Sequence, residues 1–161
     1  MRRADKEIKD KALMLKILDK AQYITVAMCD NEEPYLVSLS HLYDKESNCI
    51  YFHCAKDGKK LDILRHNPRV WGQALVDYGY HEGECSHLYA SVMIKGRVEF
   101  IEDYEKKKSV FERMVFKLDK DPKKLLLGLK GLKSPEGLKS VITGRIVVEE
   151  ITGKKSLEVA I

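Results

Sequence analysis

The spacing of apolar residues along the chain predicts three helices. From Leu13 to Ala21, apolar residues recur every four positions and would form one face of a helix that Asp10 caps. Apolar residues also recur every four positions after Asp103. A shorter apolar segment ends before Pro68, because the residue preceding a proline disfavours the α region. The predicted helices are Asp10–Ala21, Lys60–His66 and Asp103–Leu118.

Runs of β-branched and aromatic residues separated by polar turns predict strands. Short turns such as Asn31–Pro34 favour an antiparallel meander, and no G-x-G-x-x-G motif supports a doubly wound parallel sheet. The six predicted strands are Tyr23–Cys29, Tyr35–Tyr43, Cys49–Cys54, Val70–Tyr78, His87–Ile101 and Ser140–Ile151. They predict a mainly β fold with peripheral helices, a six-stranded antiparallel barrel, closed or nearly closed, in one domain over residues 1–161.

The composition is that of a globular domain, with 161 residues of which 44% are hydrophobic and 34% charged. The net charge of +4 is too small to indicate a nucleic-acid partner. The charged start lacks the apolar segment of a secretory signal, and no apolar run approaches the ~20 residues that span a bilayer. We therefore expect a cytoplasmic protein with no membrane partner.

Four cysteines are present, and none forms a C-x-x-C pair. Three lie in apolar strand-like segments, which is typical of reduced, mostly buried thiols. The fourth, Cys85, lies between His81 and His87, but this spacing matches no zinc-binding pattern. We predict neither disulfides nor a metal site.

The segment Gly58-Lys59-Lys60 follows a predicted strand and begins a predicted helix. Amides at a helix start are unsatisfied and favour an anion, glycine lets the backbone approach closely, and lysines neutralise phosphate charge. The segment is not a Walker loop. From the residues alone, a solvated loop with two surface lysines is the commoner explanation of such a segment.

Several short motifs stand in a fixed order along nearly the whole chain. They are Pro34–Leu39 (PYLVSL), Tyr51–His53 (YFH), Gly58–Asp62 (GKKLD), Asn67-Pro68, Tyr89–Val92 (YASV), Gly96–Val98 (GRV) and Glu149–Lys154 (EEITGK). Their order and spacing resemble the pyridoxamine 5'-phosphate oxidase-like FMN-binding split barrels, and within these the nitroimidazole-resistance (Nim-like) branch.

This resemblance implies a cofactor site for FMN, with FAD as the alternative. The positions that match cofactor-binding positions of the family are Val37, Ser38, Leu39, Ser40, His53, Lys59, Lys60 and Ser91. The lysine pair matches the basic pair that holds the phosphate, the four residues of the second strand flank the isoalloxazine, and Ser91 faces the flavin. His53 matches a histidine near the flavin in the Nim-like branch, and a structural histidine is the alternative.

The chain also departs from the oxidases proper. These enzymes have an arginine and a lysine near the positions of Tyr35 and Ser40, and this chain has neither. It also lacks their substrate-binding pattern of arginine and histidine near the C-terminus. The departure argues against oxidation of vitamin B6 and leaves flavin binding intact.

Three functions follow from the resemblance. The first is an FMN-dependent oxidoreductase that reduces small molecules such as nitro compounds, and the second is a flavin-binding carrier or sensor without turnover. A haem-binding split barrel is the third. Both flavin functions need only the phosphate loop and a ring pocket, and a flavin performs its own electron chemistry, so no catalytic residue is assigned.

The resemblance further implies a twofold homodimer with flavin at the subunit interface. Independent support comes from the many aromatic side chains on predicted strands, because one barrel can turn only one face of each strand inward. These aromatic residues are Tyr23, Tyr35, Tyr43, Tyr51, Phe52, Trp71, Tyr78, Tyr80 and Tyr89. A monomer whose helices cover these faces is the alternative.

Overall fold

A computed structural model of the chain describes residues 3–161. Its eight strands are β1 (Glu7–Ile8), β2 (Tyr23–Asp30), β3 (Glu33–Ser40), β4 (Leu42–Asp44), β5 (Cys49–Ala55), β6 (Arg69–His81), β7 (Ser86–Ile101) and β8 (Val141–Lys155). The α-helices are α1 (Lys11–Lys20), α2 (Lys59–His66), α3 (Tyr104–Leu118) and α4 (Pro122–Gly128). None of these helices is both long and apolar enough to cross a membrane.

All strands belong to one antiparallel sheet with the order β3-β2-β6-β7-β8-β5-β4, and β1 pairs with β8. The predicted mainly β antiparallel fold with peripheral helices is confirmed. The sheet does not close, because β3 approaches β5 without pairing with it. This split leaves β3 as an edge strand beside the start of α2.

The number of strands differs from the predicted six for two reasons. The predicted strand Tyr35–Tyr43 is divided at His41, since β3 ends at Ser40 opposite Tyr23 while Leu42 pairs with Tyr51 of β5. His41 itself is fully buried, and its Nε2 donates to the carbonyl oxygen of Leu18 at 2.8 Å. The two-residue β1 is too short to produce an alternation in the sequence.

The predicted helices are confirmed to within one residue at their starts. Asp10 caps α1 by accepting a hydrogen bond from the Ala12 amide, and Asp103 caps α3 by accepting one from the Lys106 amide. These caps satisfy amides that have no partner inside the helix. The later helix α4 begins at Pro122, where a missing amide proton costs nothing.

The main core lies between α1 and one face of the sheet. Large buried side chains from α1 and the sheet meet there, among them Ile17, Leu18, Ile24, Phe52, Ile94 and Ile146. A smaller apolar cluster lies under α3 and includes Val110 and Met114. On β6 the residues alternate between buried and exposed, so that the opposite face of the sheet carries exposed side chains such as Trp71 and Leu75.

Candidate cofactor-binding site

The start of α2 presents a glycine and two lysines next to open space. Gly58 has a φ of 141°, which glycine adopts readily, and a Cβ on Gly58 would have no atom within 4 Å. Its carbonyl oxygen accepts the first intrahelical bond from the Leu61 amide at 2.8 Å. The amides of Lys59 and Lys60 come before this first bonded amide and have no partner within the helix, so they are available to a ligand.

Lys59 lies beside the first residues of β3, and Lys60 lies near the end of β5. The Lys59 ammonium is 3.8 Å from the Glu33 carboxylate and 5.4 Å from the centroid of the Tyr35 ring, and its side chain is half exposed. Lys60 lies near Cys54, where its charge partly offsets the burial that raises the pKa of that thiol. The arrangement supplies positive charge where β3, β5 and α2 meet.

The four predicted β3 residues divide between the two faces of the sheet. Leu39 is buried and Val37 half-buried, both in contact with the core, whereas Ser38 and Ser40 are exposed on the outer face. The Ser38 hydroxyl lies 3.0 Å from the hydroxyl of Thr25 on β2. Since β3 is an edge strand, a row of its backbone groups has no partner within the sheet and remains available to a ligand.

Ser91 lies on the outer face of β7, three strands from β3 in the order of the sheet. It is directly opposite Leu75 of β6 in the strand register and lines a cavity of about 560 Å³. Gln73 and Thr152 line the same cavity. Sequence reasoning missed these two residues, although the alternation along β6 places Gln73 on the exposed face.

His53 lies under α3. Its ring is 4.5 Å from the Phe111 ring, centroid to centroid, and its Nδ1 is 3.4 Å from the sulfur of Met114. Burial lowers the pKa of His53, because it disfavours the charged form of the ring. A cavity of about 210 Å³ beside the ring is lined mostly by apolar side chains of α3 and α4.

The strand register places His53 and Ser91 far apart within one chain. His53 is opposite Thr143 of β8, which is opposite Ile101 of β7. Ser91 is ten residues before Ile101 on the same strand, or roughly 33 Å along it at ~3.3 Å per residue. One chain therefore brings the lysine pair and β3 together and holds His53 and Ser91 at two other places.

The family model described as pyridoxamine 5'-phosphate oxidase matches residues 10–155. No curated protein sequence matches the chain.

Solved structures share the fold. A candidate 5-nitroimidazole antibiotic resistance protein from Bacteroides thetaiotaomicron is 26% identical with a TM-score of 0.76, over 92% of this chain and 85% of that one. The flavocytochrome Anf3 from Azotobacter vinelandii is 19% identical with a TM-score of 0.80, over 97% and 72%. An FAD-binding protein from Mesorhizobium loti is 21% identical with a TM-score of 0.65, over 91% and 95%. Because the family model spans most of the chain and the fold agrees, this protein belongs to the pyridoxamine 5'-phosphate oxidase-like family.

Proposed function

We propose that the chain binds FMN, with FAD as the alternative, and acts as an FMN-dependent oxidoreductase that reduces small molecules such as nitro compounds. The observation that carries the proposal is the start of α2, where open space around Gly58 adjoins Lys59 and Lys60 beside an edge strand. Family membership supports it, as do similar structures described as an FAD-binding protein, a flavocytochrome and a candidate nitroimidazole resistance protein.

The residues present fit a flavin phosphate. A phosphate at the helix start would receive amide hydrogen bonds from the first turn and charge-assisted bonds from both lysines. Lys59 is available for this role, because its 3.8 Å separation from Glu33 is longer than a hydrogen bond. From this point the free backbone edge of β3 leads away along Val37 to Ser40, where the isoalloxazine would lie.

The bound flavin would supply the electron transfer, and the protein would bind and orient it. The hydroxyls of Ser38 and Ser40 and the unpaired backbone of β3 offer hydrogen bonds to a polar ring edge, while Val37 and Leu39 keep the strand anchored in the core. The His53 ring is packed against Phe111 and Met114 of α3, so its contribution to this site would be to support β5.

We further propose that two copies form a twofold dimer with flavin at the interface. The structural argument is that Ser91 lies three strands from β3 within one chain, whereas a second copy can place its Ser91 over the first copy's β3. The outer face also exposes large apolar side chains that a partner could cover: Tyr23 at 53%, Leu36 at 64%, Leu75 at 42% and Met93 at 37%.

The phosphate site can be tested with a double variant, Lys59→Ala/Lys60→Ala. Each lost charge-assisted hydrogen bond is worth about 1.5–3 kcal/mol, so affinity for FMN should fall at least tenfold. The measurement is quenching of FMN fluorescence on titration with the apoprotein. The matched control is Lys123→Ala/Lys124→Ala, an exposed adjacent pair in the first turn of α4. Equal flavin affinity of the Lys59/Lys60 variant and wild type would place the phosphate elsewhere.

A second experiment separates the three functions. The purified protein is photoreduced without oxygen and mixed with a nitroaromatic acceptor while its spectrum is followed. Reoxidation of the flavin with reduction of the acceptor supports the oxidoreductase, and reduced flavin that persists supports a carrier or sensor. A Soret band in place of flavin bands would indicate the haem-binding alternative. Two structures with a similar fold are described as a flavocytochrome and as an FAD- and haem-binding protein.

A further inference from the structure

One carbonyl group near the end of α1 joins three elements of the fold around a buried histidine. Leu18 lies in the last turn of α1, and the last four carbonyl groups of a helix have no amide partner within it. The Leu18 oxygen accepts a hydrogen bond from His41 Nε2 at 2.8 Å and another from Lys117 Nζ of α3 at 3.3 Å. The negative end of the helix dipole also favours the lysine charge at this place. His41 and Lys117 therefore fasten the connection between β3 and β4, and also α3, to the end of α1.

The bond from His41 to Leu18 holds a ring that water does not reach. His41 has no exposed surface, and its Nδ1 has no hydrogen-bond partner among residues 3–161. If the Nε2 bond were lost, both ring nitrogens would be buried and unpaired, which is more costly than the net value of one hydrogen bond. The ring is thus strongly fixed at Leu18.

His41 comes directly after the segment of β3 at which the isoalloxazine is proposed to lie. Ser40, the last residue of that segment, is paired with Tyr23 at the start of β2. One residue after His41, the chain is already paired with β5, since Leu42 lies opposite Tyr51. His41 is therefore the single residue between two strand pairings, at the end of the predicted ring-binding edge.

Few other interactions fix this end of β3. The strand is at the edge of the sheet and pairs only with β2, and Ser38 and Ser40 are exposed. Tyr23, the partner of Ser40, begins β2 two residues after the C-cap of α1 at Ala21. The bond from His41 to Leu18 thus ties both strands of this pair to the same helix end. A displacement of His41 would move the free backbone edge of β3.

We propose that His41 is a positioning residue of the flavin site. Through its bond to Leu18 it fixes the end of β3, so that the free backbone edge from Val37 to Ser40 stands where the flavin ring binds. Because its own ring is fully buried against α1, His41 acts through β3 and not by contact with the flavin. The role of flavin as the ligand rests on the proposed function, whereas the fixing of the strand can be measured without flavin.

Glutamine and asparagine at position 41 form a matched pair that differs in reach. The amide nitrogen of glutamine stands as many bonds from the backbone as the ring Nε2 and can donate to Leu18, whereas that of asparagine corresponds to Nδ1, which has no partner. His41→Asn should lower the affinity for FMN about fivefold, the equivalent of one hydrogen bond, and His41→Gln should leave it close to that of the wild type. The measurement is quenching of FMN fluorescence on titration with the apoprotein, after far-UV circular dichroism has shown that each variant is folded.

A second control separates positioning from a general loss of stability. Asp103→Ala also removes one hydrogen bond, the cap at the start of α3, and should bind FMN as the wild type does. Equal FMN affinity of His41→Asn and the wild type overturns the proposal. Equal weakening by His41→Asn and His41→Gln, or by His41→Asn and Asp103→Ala, overturns it as well. If His41→Asn does not fold, Lys117→Met removes the other donor to Leu18 from a half-buried side chain: weaker FMN binding supports the proposal, and unchanged binding overturns it.

Hydrogen exchange of the apoprotein keeps this proposal separate from the proposed function. The backbone amides of residues 36–40 should exchange faster in His41→Asn than in His41→Gln, while the amides of β7 stay equally protected in both. If the wild type binds no flavin, the proposed function fails, and this selective exchange still supports His41 as the residue that fixes β3. Equal exchange of residues 36–40 in the two variants overturns that role.

Discussion

Acidification should destabilise the fold through His41, the residue at which β3 and β4 separate. The ring is fully buried, and its Nε2 carries the proton that is donated to Leu18. A second proton would have to occupy Nδ1, which is buried without a hydrogen-bond partner among the described residues. Burial, together with the charge of Lys117 at 3.4 Å, lowers the pKa of His41 to about 4.

A histidine with a lowered pKa binds fewer protons in the folded state than in the unfolded chain. Its contribution to stability is complete above the unfolded pKa of 6.5 and is lost as the pH falls toward about 4. Between about pH 7 and pH 5 the free energy of unfolding should fall by about 2 kcal/mol from this group alone. Urea unfolding followed by tryptophan fluorescence at the two pH values measures the loss.

Two variants isolate the contribution of His41 from that of the carboxylates. His41→Gln keeps an amide donor for Leu18 and removes the titration, so its loss of stability over the same pH interval should be smaller by about 2 kcal/mol. Lys117→Met removes the neighbouring charge and should reduce the loss in part, because the pKa of His41 then rises. Identical pH dependence in the wild type and both variants would refute the assignment.

Further predictions concern packing, capping and assembly. Gly144 lies opposite Phe52, whose ring would overlap an added Cβ. Gly144→Ala should therefore lower the free energy of unfolding in urea by about 1–3 kcal/mol. The control Gly128→Ala, which has open space around the added Cβ, should not lower it. Asp103→Ala should cost about 1 kcal/mol in the same assay through the lost cap of α3. Light scattering of the flavin-loaded protein should give a molar mass of twice 18.5 kDa. Met93→Lys on the outer face should lower this mass toward that of the monomer.

The sequence by itself determined the local features of this protein. Asp10 and Asp103 mark helix starts because a capping side chain and its amide partner are only two or three residues apart. Asn67-Pro68 marks the end of α2, because the residue before a proline disfavours the α region. Each of these features depends on interactions between near neighbours, which the order of residues specifies directly.

The tertiary structure alone decided which distant residues meet. The strand predicted over Tyr35–Tyr43 divides at His41 because that ring reaches Leu18 of α1, a contact that no periodicity reveals. The separation of His53 from Ser91 follows from strand register. Register is fixed by pairing and burial across the whole sheet, and a shift by one residue would turn each side chain to the other face.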